Sequence, residues 1–282
     1  MACSDERCVT VGVLALQGAF HEHIARFASL CAASSLGPRV RAVAVRNAEQ
    51  LAACDGVVIP GGESTTISLG LRNAGLLGPL RAWIQAGRPV WGTCAGMIML
   101  SAEATGGKRG GQELLGGVDI QVGRNGFGSQ VNSFEAPVDF PVLGADPFPG
   151  VFIRAPVVEQ LFTDTAQLRD NLARAQAALP TQTQLSNAYC PPVMLGDGPR
   201  PPLQILGCLS APNLPPHSET PARAHGPADT HVLGPHPPSD THIVALRQGA
   251  ILITSFHPEL THDTRLHAYF VREVIAPLRS EP

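Results

Sequence analysis

The first hundred residues alternate two hydrophobic periods, and that alternation restricts the fold more than any other feature of the chain. Val9–Leu16 is a β-branched apolar run that ends at Gln17-Gly18. Residues 19–34 follow with Phe20, Ile24, Phe27 and Leu30 close to a 3.6 period, the mark of a helix with one buried face. Strand patterns recur at Val40–Val45, Gly56–Ile59 and Pro89–Gly92, and helical patterns at Ser64–Asn73, Pro79–Ala86 and Ala95–Ala104. Strands separated by helices join through right-handed crossovers into a parallel sheet covered on both faces. The predicted fold is therefore α/β, in three layers, around a mixed but mostly parallel sheet. Strand patterns return at Val118–Gly123, Gln130–Val138, Val151–Arg154, His242–Arg247 and Ala250–Phe256, with Gln248-Gly249 as a tight turn. Asp263–Ile275 reads as a closing helix that Pro277 ends.

One stretch breaks the pattern. Val157–Leu179 has the spacing of an amphipathic helix through Leu161, Leu168, Leu172 and Leu179. Beyond it, residues 191–238 hold half of the 26 prolines. Proline cannot complete strand ladders or helix interiors, so about 180–240 reads as a disordered or loosely packed insertion, bounded near 157–241, in a single domain spanning 1–282. On this reading, excising 182–238 leaves the fold intact. His217, His225, His231 and His236 lie in this stretch without the rigid spacing of a metal site.

Composition removes several functional classes. A formal net charge of −3 gives no general attraction for nucleic acid or an anionic membrane. The longest apolar runs are strand-length, so no membrane span is expected. The opening MACSDERCV lacks the apolar core of a signal peptide, which points to the cytoplasm. Seven scattered cysteines without a CxxC pair suit neither a disulfide framework nor structural zinc. Lys108 is the only lysine; it lies in a glycine-rich stretch and outside any phosphate-binding G-K-[ST] context.

Three short segments carry chemistry. Gly92-Thr93-Cys94-Ala95-Gly96 runs from a strand into a helix as a nucleophile elbow with cysteine in the serine position. Such a turn lifts the sulfur to the carboxyl edge of the sheet at a helix N-terminus, which favours thiolate. A structural cysteine in a glycine-rich turn would carry the same pentapeptide, so a base is needed. Phe256-His257-Pro258-Glu259 supplies one: in an extended segment His257 and Glu259 project to the same side, His257 as general base and acid, Glu259 orienting its ring. Pro60-Gly61-Gly62-Glu63-Ser64 ends another strand, and the backbone N–H groups of Gly62 and Ala95 are the candidate oxyanion donors.

In this order, PGGES, GTCAG and FHPE resemble the class I, triad glutamine amidotransferases, whose domain is flavodoxin-like. LALQG (14–18) with His21-Glu22-His23, PGGESTT (60–66), RNGFG (124–128), SFE (133–135), VFIRAP (151–156) and SFHPELT (255–261) resemble a narrower family, the glutaminase subunits of pyridoxal 5′-phosphate synthase. The resemblance covers 9–156 and 242–277; family members of bacterial type lack the long insertion. It implies hydrolysis of L-glutamine to L-glutamate and ammonia through a cysteinyl thioester. It also implies transfer of the ammonia to a separate synthase subunit in a hetero-oligomer, where pyridoxal 5′-phosphate is built from ribose 5-phosphate and glyceraldehyde 3-phosphate. Gly62, Glu63 and Ser64 would line the glutamine site, Arg124 would meet the amino-acid end of the substrate, and Ile153 and Arg154 would complete the pocket. Gln17, His21 and His23 would face the partner. No metal or cofactor is implied. Two other readings share parts of this evidence: the glutaminase of another class I amidotransferase, such as the one feeding imidazole-glycerol-phosphate synthesis, and a catalytically silent scaffolding subunit.

Overall fold

The computed structural model describes residues 8–33, 39–106, 112–124, 126–127, 133–162, 200–210, 213, 232–233 and 241–279. Lys108, Asn125, Gly128, the four histidines of the proline-rich stretch and the end of the helix expected at 157–179 lie outside them. In chain order the first half runs β1 (Cys8–Leu14), α1 (Phe20–Ala33), β2 (Arg39–Val45), α2 (Ala48–Ala52), β3 (Gly56–Ile59), α3 (Ser64–Asn73), α4 (Leu77–Gln85), β4 (Val90–Thr93) and α5 (Ala95–Leu100). The alternation read from the sequence is present, with the short helix α2 added. Asn47 starts that helix, its side chain accepting from the Gln50 N–H.

The second half is mostly strand: β5 (Ser101–Thr105), β6 (Val118–Gly123), β7 (Ser133–Val138), β8 (Phe148–Ile153), β9 (Val157–Leu161), β10 (Leu203–Ser210), β11 (Val232–Leu233), β12 (Thr241–Gln248) and β13 (Ile251–Thr254). The main sheet has the order β11-β10-β12-β13-β4-β3-β1-β2. Its strands from β13 to β2 are all parallel, while β12 and β10 are antiparallel to their inner neighbours. Smaller sheets β5-β6-β9 and β7-β8 flank it. The fold is α/β with a mixed, mostly parallel sheet.

Two cores follow from the strand period. Val57, Ile59, Val90, Ile251 and Ile253 face one side with Ile67, Leu71, Leu80 and Trp83 of α3 and α4. Val58, Trp91 and Leu252 face the other with Phe27 of α1 and with Leu266 and Phe270 from the C-terminal helix. Successive residues of one strand thus enter opposite layers, which gives the three-layer arrangement.

Four expectations need correction. The helix expected over 95–104 stops at Leu100, and Ser101–Thr105 pairs with β6 as a strand. The helix expected from Val157 begins instead as β9, antiparallel to β6. The closing helix starts as α6 (Arg265–Tyr269), widens into a π turn at Phe270–Ile275 and ends as α7 (Ala276–Arg279), so Pro277 does not stop it. An α-helical Pro277 would lack its N–H bond and crowd the carbonyl four residues back; the widened turn lies where that conflict falls.

The largest correction is β10. Within the expected insertion, Leu203–Ser210 is a sheet strand paired to β12, with Leu203, Leu206 and Leu209 buried. Arg200 just before it forms an ion pair with the buried Asp119, which also accepts from Gln248 Nε2 at 2.7 Å. Excision of 182–238 would remove this strand and take from Asp119 its Arg200 partner. Leu209→Ala is expected to cost about 2–5 kcal/mol of stability, the range for a leucine truncated in a packed core. Urea unfolding reads it, and a loss under about 1 kcal/mol, the size of a typical surface change, would mean that β10 is peripheral to the fold.

Candidate active site

Three parallel neighbours, β3, β4 and β13, end at the same edge of the sheet. Ile59 pairs with Gly92, and Thr93 pairs with Thr254. The chain segments that follow these strands are PGGE, CAG and SFHPE, so topology alone brings the three motifs together. This is the carboxyl edge at which open α/β sheets hold their sites.

Cys94 occupies the turn between β4 and α5 with φ +47°, a backbone conformation few non-glycine residues adopt. Its N–H donates to the Thr254 carbonyl at 2.8 Å. The turn is possible because Gly96 lies against the Ile59 carbonyl; a Cβ there would collide with that oxygen. Cys94 is buried, and its Sγ lies 3.8 Å from the carbonyl oxygen of Ile153.

His257 faces Cys94 within hydrogen-bonding reach, and its Nδ1 is 2.7 Å from Glu259 Oε1. Its backbone N–H donates to the Val151 carbonyl at 2.8 Å, so β8 supports both sides of the pair through carbonyls two residues apart. Burial alone would push the imidazole pKa down. Hydrogen bonds and charge attraction from Cys94 and Glu259 outweigh burial and hold it up at about 10. Burial would likewise push the Glu259 carboxyl up, but the neighbouring histidines leave it below its ordinary value. The geometry suits an imidazolium beside the Cys94 sulfur, steadied by a buried carboxylate.

The glycine loop lies against this pair. A Cβ on Gly61 would meet the His257 ring and come within 3.3 Å of Cys94 Cβ. The Gly61 carbonyl accepts from the Ala19 N–H at 3.0 Å, and the Glu63 N–H donates to Gln17 Oε1 at 2.9 Å. Gly61 thus stands against Cys94 from the loop after β3, with Gly62 next to it against Gln17, and Ala95 follows Cys94 at the start of α5.

The remaining expected residues divide. Glu63 is exposed at the loop end. Arg124 is half-buried and faces its charge; burial draws the guanidinium pKa down and Glu63 opposes the shift. The Arg124 Nε has no hydrogen-bond partner among the described residues. Ser64 is buried and its hydroxyl donates to Gln112 Oε1 at 3.0 Å, so its side chain is already engaged. Ile153 is exposed beside Cys94, and Arg154 has φ +43° as the chain leaves β8. Gln17 is half-buried and His21 exposed. His23 is not: it is 0% exposed, with Nε2 3.3 Å from Glu259 Oε2. The HEH tripeptide straddles the helix surface, and His23 shares the inward face with Phe27. The sequence reading missed this, together with Gln112 and His267. The four-residue step from His23 to Phe27 was the available signal.

Among the described residues no cluster of three or more His, Cys, Asp or Glu has the form of a metal site, and no helix is long and apolar enough to cross a membrane.

Residues 13–187 and 222–276 match the SNO glutamine amidotransferase family. That match resumes well before the expected end of the insertion and leaves out only 188–221 between its two parts. The chain is 40% identical over 269 residues to a probable pyridoxal 5′-phosphate synthase subunit PDX2 from Arabidopsis thaliana, covering 94% of this chain and 85% of the relative. It is also 40% identical over 269 residues to the pyridoxal 5′-phosphate synthase subunit PdxT of Acidothermus cellulolyticus, covering 95% of each. A crystal structure of a glutamine amidotransferase superposes with a TM-score of 0.58 at 32% identity, covering 93% of this chain and 96% of that one.

Proposed function

The chain belongs to the SNO glutamine amidotransferase family, and on that premise we propose that it is the glutaminase subunit of a pyridoxal 5′-phosphate synthase. It hydrolyses L-glutamine to L-glutamate and ammonia and passes the ammonia to a separate synthase subunit. The observation that carries the reading is the line Cys94–His257–Glu259, with 2.7 Å between His257 Nδ1 and Glu259 Oε1, at an edge that also presents the Gly62 loop.

Each residue then has a task. The Cys94 thiolate attacks the carboxamide carbon, and the carbonyl oxygen gains charge opposite the Gly62 and Ala95 N–H groups. One such donor is worth about 3–4 kcal/mol in the transition state. The His257 imidazolium gives its proton to the departing ammonia, leaving a glutamyl thioester. Neutral His257 next takes a proton from water, the resulting hydroxide attacks the thioester, and glutamate leaves as Cys94 regains its charge. Glu259 keeps the ring oriented in both halves. Arg124, with an unpartnered buried N–H, suits the α-carboxylate of the substrate, and Glu63 beside it suits the α-ammonium.

The test is glutamate formation by the purified chain together with a synthase subunit, with a glutamine-like electrophile as a probe of the thiol. Turnover and covalent labelling at Cys94 are expected. Glutamine binding without turnover in the complex would support a scaffolding subunit instead.

A further inference from the structure

Three imidazoles and a carboxylate run in a buried line behind Cys94, and the chemistry above uses only His257 and Glu259. His23 of α1 lies next, with Nε2 3.3 Å from Glu259 Oε2 and 3.2 Å from Thr93 Oγ1. Its Nδ1 is 3.1 Å from His267 Nε2 on α6. Both rings are 0% exposed and stand edge-on to Trp91. Two atoms make no well-formed hydrogen bond among the described residues: Glu259 Oε2 at one end, where His23 Nε2 makes only the 3.3 Å contact, and His267 Nδ1 at the other.

These facts fix the protons. A buried N–H without an acceptor is costlier and rarer than a bare lone pair. His267 therefore carries its proton on Nε2, where His23 Nδ1 accepts it. His23 then has its own proton on Nε2, directed between the Thr93 hydroxyl and Glu259. The far end demands the same tautomer, because a lone pair on His23 Nε2 would face a carboxylate oxygen at 3.3 Å. Burial, the largest influence on both rings, pushes each down to about 3, so both are neutral and each has one proton to place.

We infer that His23 is a positioning residue of the triad: its Nε2–H steadies the outer oxygen of Glu259, so the inner oxygen stays on His257 Nδ1, and His267 fixes the tautomer this needs. The inference rests on the triad reading and deepens it. His23 touches no reacting atom and acts through Glu259. The groups that face Glu259 are His257 from its own segment and His23 from α1. Cys94 stands beyond the first, and His267, with Arg26 of α1 near it, beyond the second. Without the N–H, the outer oxygen would have no nearby donor in a dry site. The carboxyl would then hold its proton to higher pH.

The experiment is glutaminase kinetics of the full chain, with its synthase subunit, across pH. His23→Leu is expected to lower kcat at least about 10-fold with KM nearly unchanged, and to move the acid limb of the kcat/KM profile up by about one pH unit. His23→Gln restores an N–H near Nε2 and is expected to recover most of kcat and the wild-type profile. An unshifted limb in a folded His23→Leu chain overturns the inference, as does equal loss in the Leu and Gln variants. If His23→Leu does not fold, His267→Leu decides: a smaller shift in the same direction supports the chain of tautomers, and an unshifted limb overturns it. A wild-type complex without turnover sinks the triad reading and the inference together; wild-type turnover with an unshifted variant sinks the inference alone.

Discussion

Cys94→Ala is expected to reduce glutamine hydrolysis below about 1% of wild type while the chain stays folded and still binds a synthase subunit. The side chain is small and buried, and alanine suits the elbow at φ +47° no worse than cysteine does. What disappears is the nucleophile and one of the two supports of the His257 proton. Burial then opposes the charged ring with Glu259 alone against it, so the His257 pKa falls from about 10. The sign of the accompanying stability change follows by linkage. A histidine whose folded pKa is raised stabilises fully below its unfolded value, about 6.5, and loses that contribution as pH climbs through the folded value. Wild-type stability from this group thus declines between about pH 6.5 and 10, and in the alanine variant the decline ends at lower pH. Residual turnover above about 1% would end the thioester mechanism, whatever the titration showed.

What could be read from the sequence was what local sterics dictate. Gly96 must be glycine because the Ile59 carbonyl occupies the place of its side chain, and a rule of that kind leaves a motif in the string. Convergence of the three motifs needed one more step, the β4–β13 pairing, which the α/β alternation implied without specifying. Longer-range decisions were less visible. Strand β10 lies between Pro201-Pro202 and Pro212, and the register shifts around Gly207 let Leu206 and Leu209 share a core despite their three-residue spacing. A pattern of period two does not find such a strand. Ser101–Thr105 carries helix-compatible alanines and a glutamate, and its pairing with β6 overrode that weak preference. His23 differed again: its helical face was legible, but His21 and Glu22 just before it made the tripeptide look like surface. Only the tertiary fold places a carboxylate that needs a donor beside it.

A synthase subunit is expected to activate the wild-type chain roughly 10²–10³-fold, and Gln17→Ala is expected to lose most of that gain. The reason lies in two hydrogen bonds. Ala19 N–H holds the Gly61 carbonyl at 3.0 Å, and Gln17 Oε1 accepts from the Glu63 N–H at 2.9 Å. In a trans peptide the Gly61 C=O and the Gly62 N–H point in opposite directions, so the bond from Ala19 decides where the oxyanion donor points. Gly62 adds a steric link, since a Cβ on it would strike Gln17 Oε1. The glycine pair can rotate its shared peptide at little cost, which leaves the donor's direction to these contacts. A partner seated on exposed His21 and half-buried Gln17 would press on the same three residues, 17–19. It would thereby shift the loop toward the conformation with its donor on the oxyanion. If that conformation is a minor one in the free chain, filling it gives the gain of one oriented donor and no more. Glutamine would then be hydrolysed where its ammonia has a destination. The measurement is glutamate production at matched chain concentration, with and without the synthase subunit, for wild type and Gln17→Ala, with binding measured separately. An isolated wild-type chain already at full rate would remove the need for any coupling. A Gln17→Ala chain that binds and is activated as well as wild type would show that the signal reaches the loop by another route, and the line from Cys94 to Glu259 would be untouched by either result.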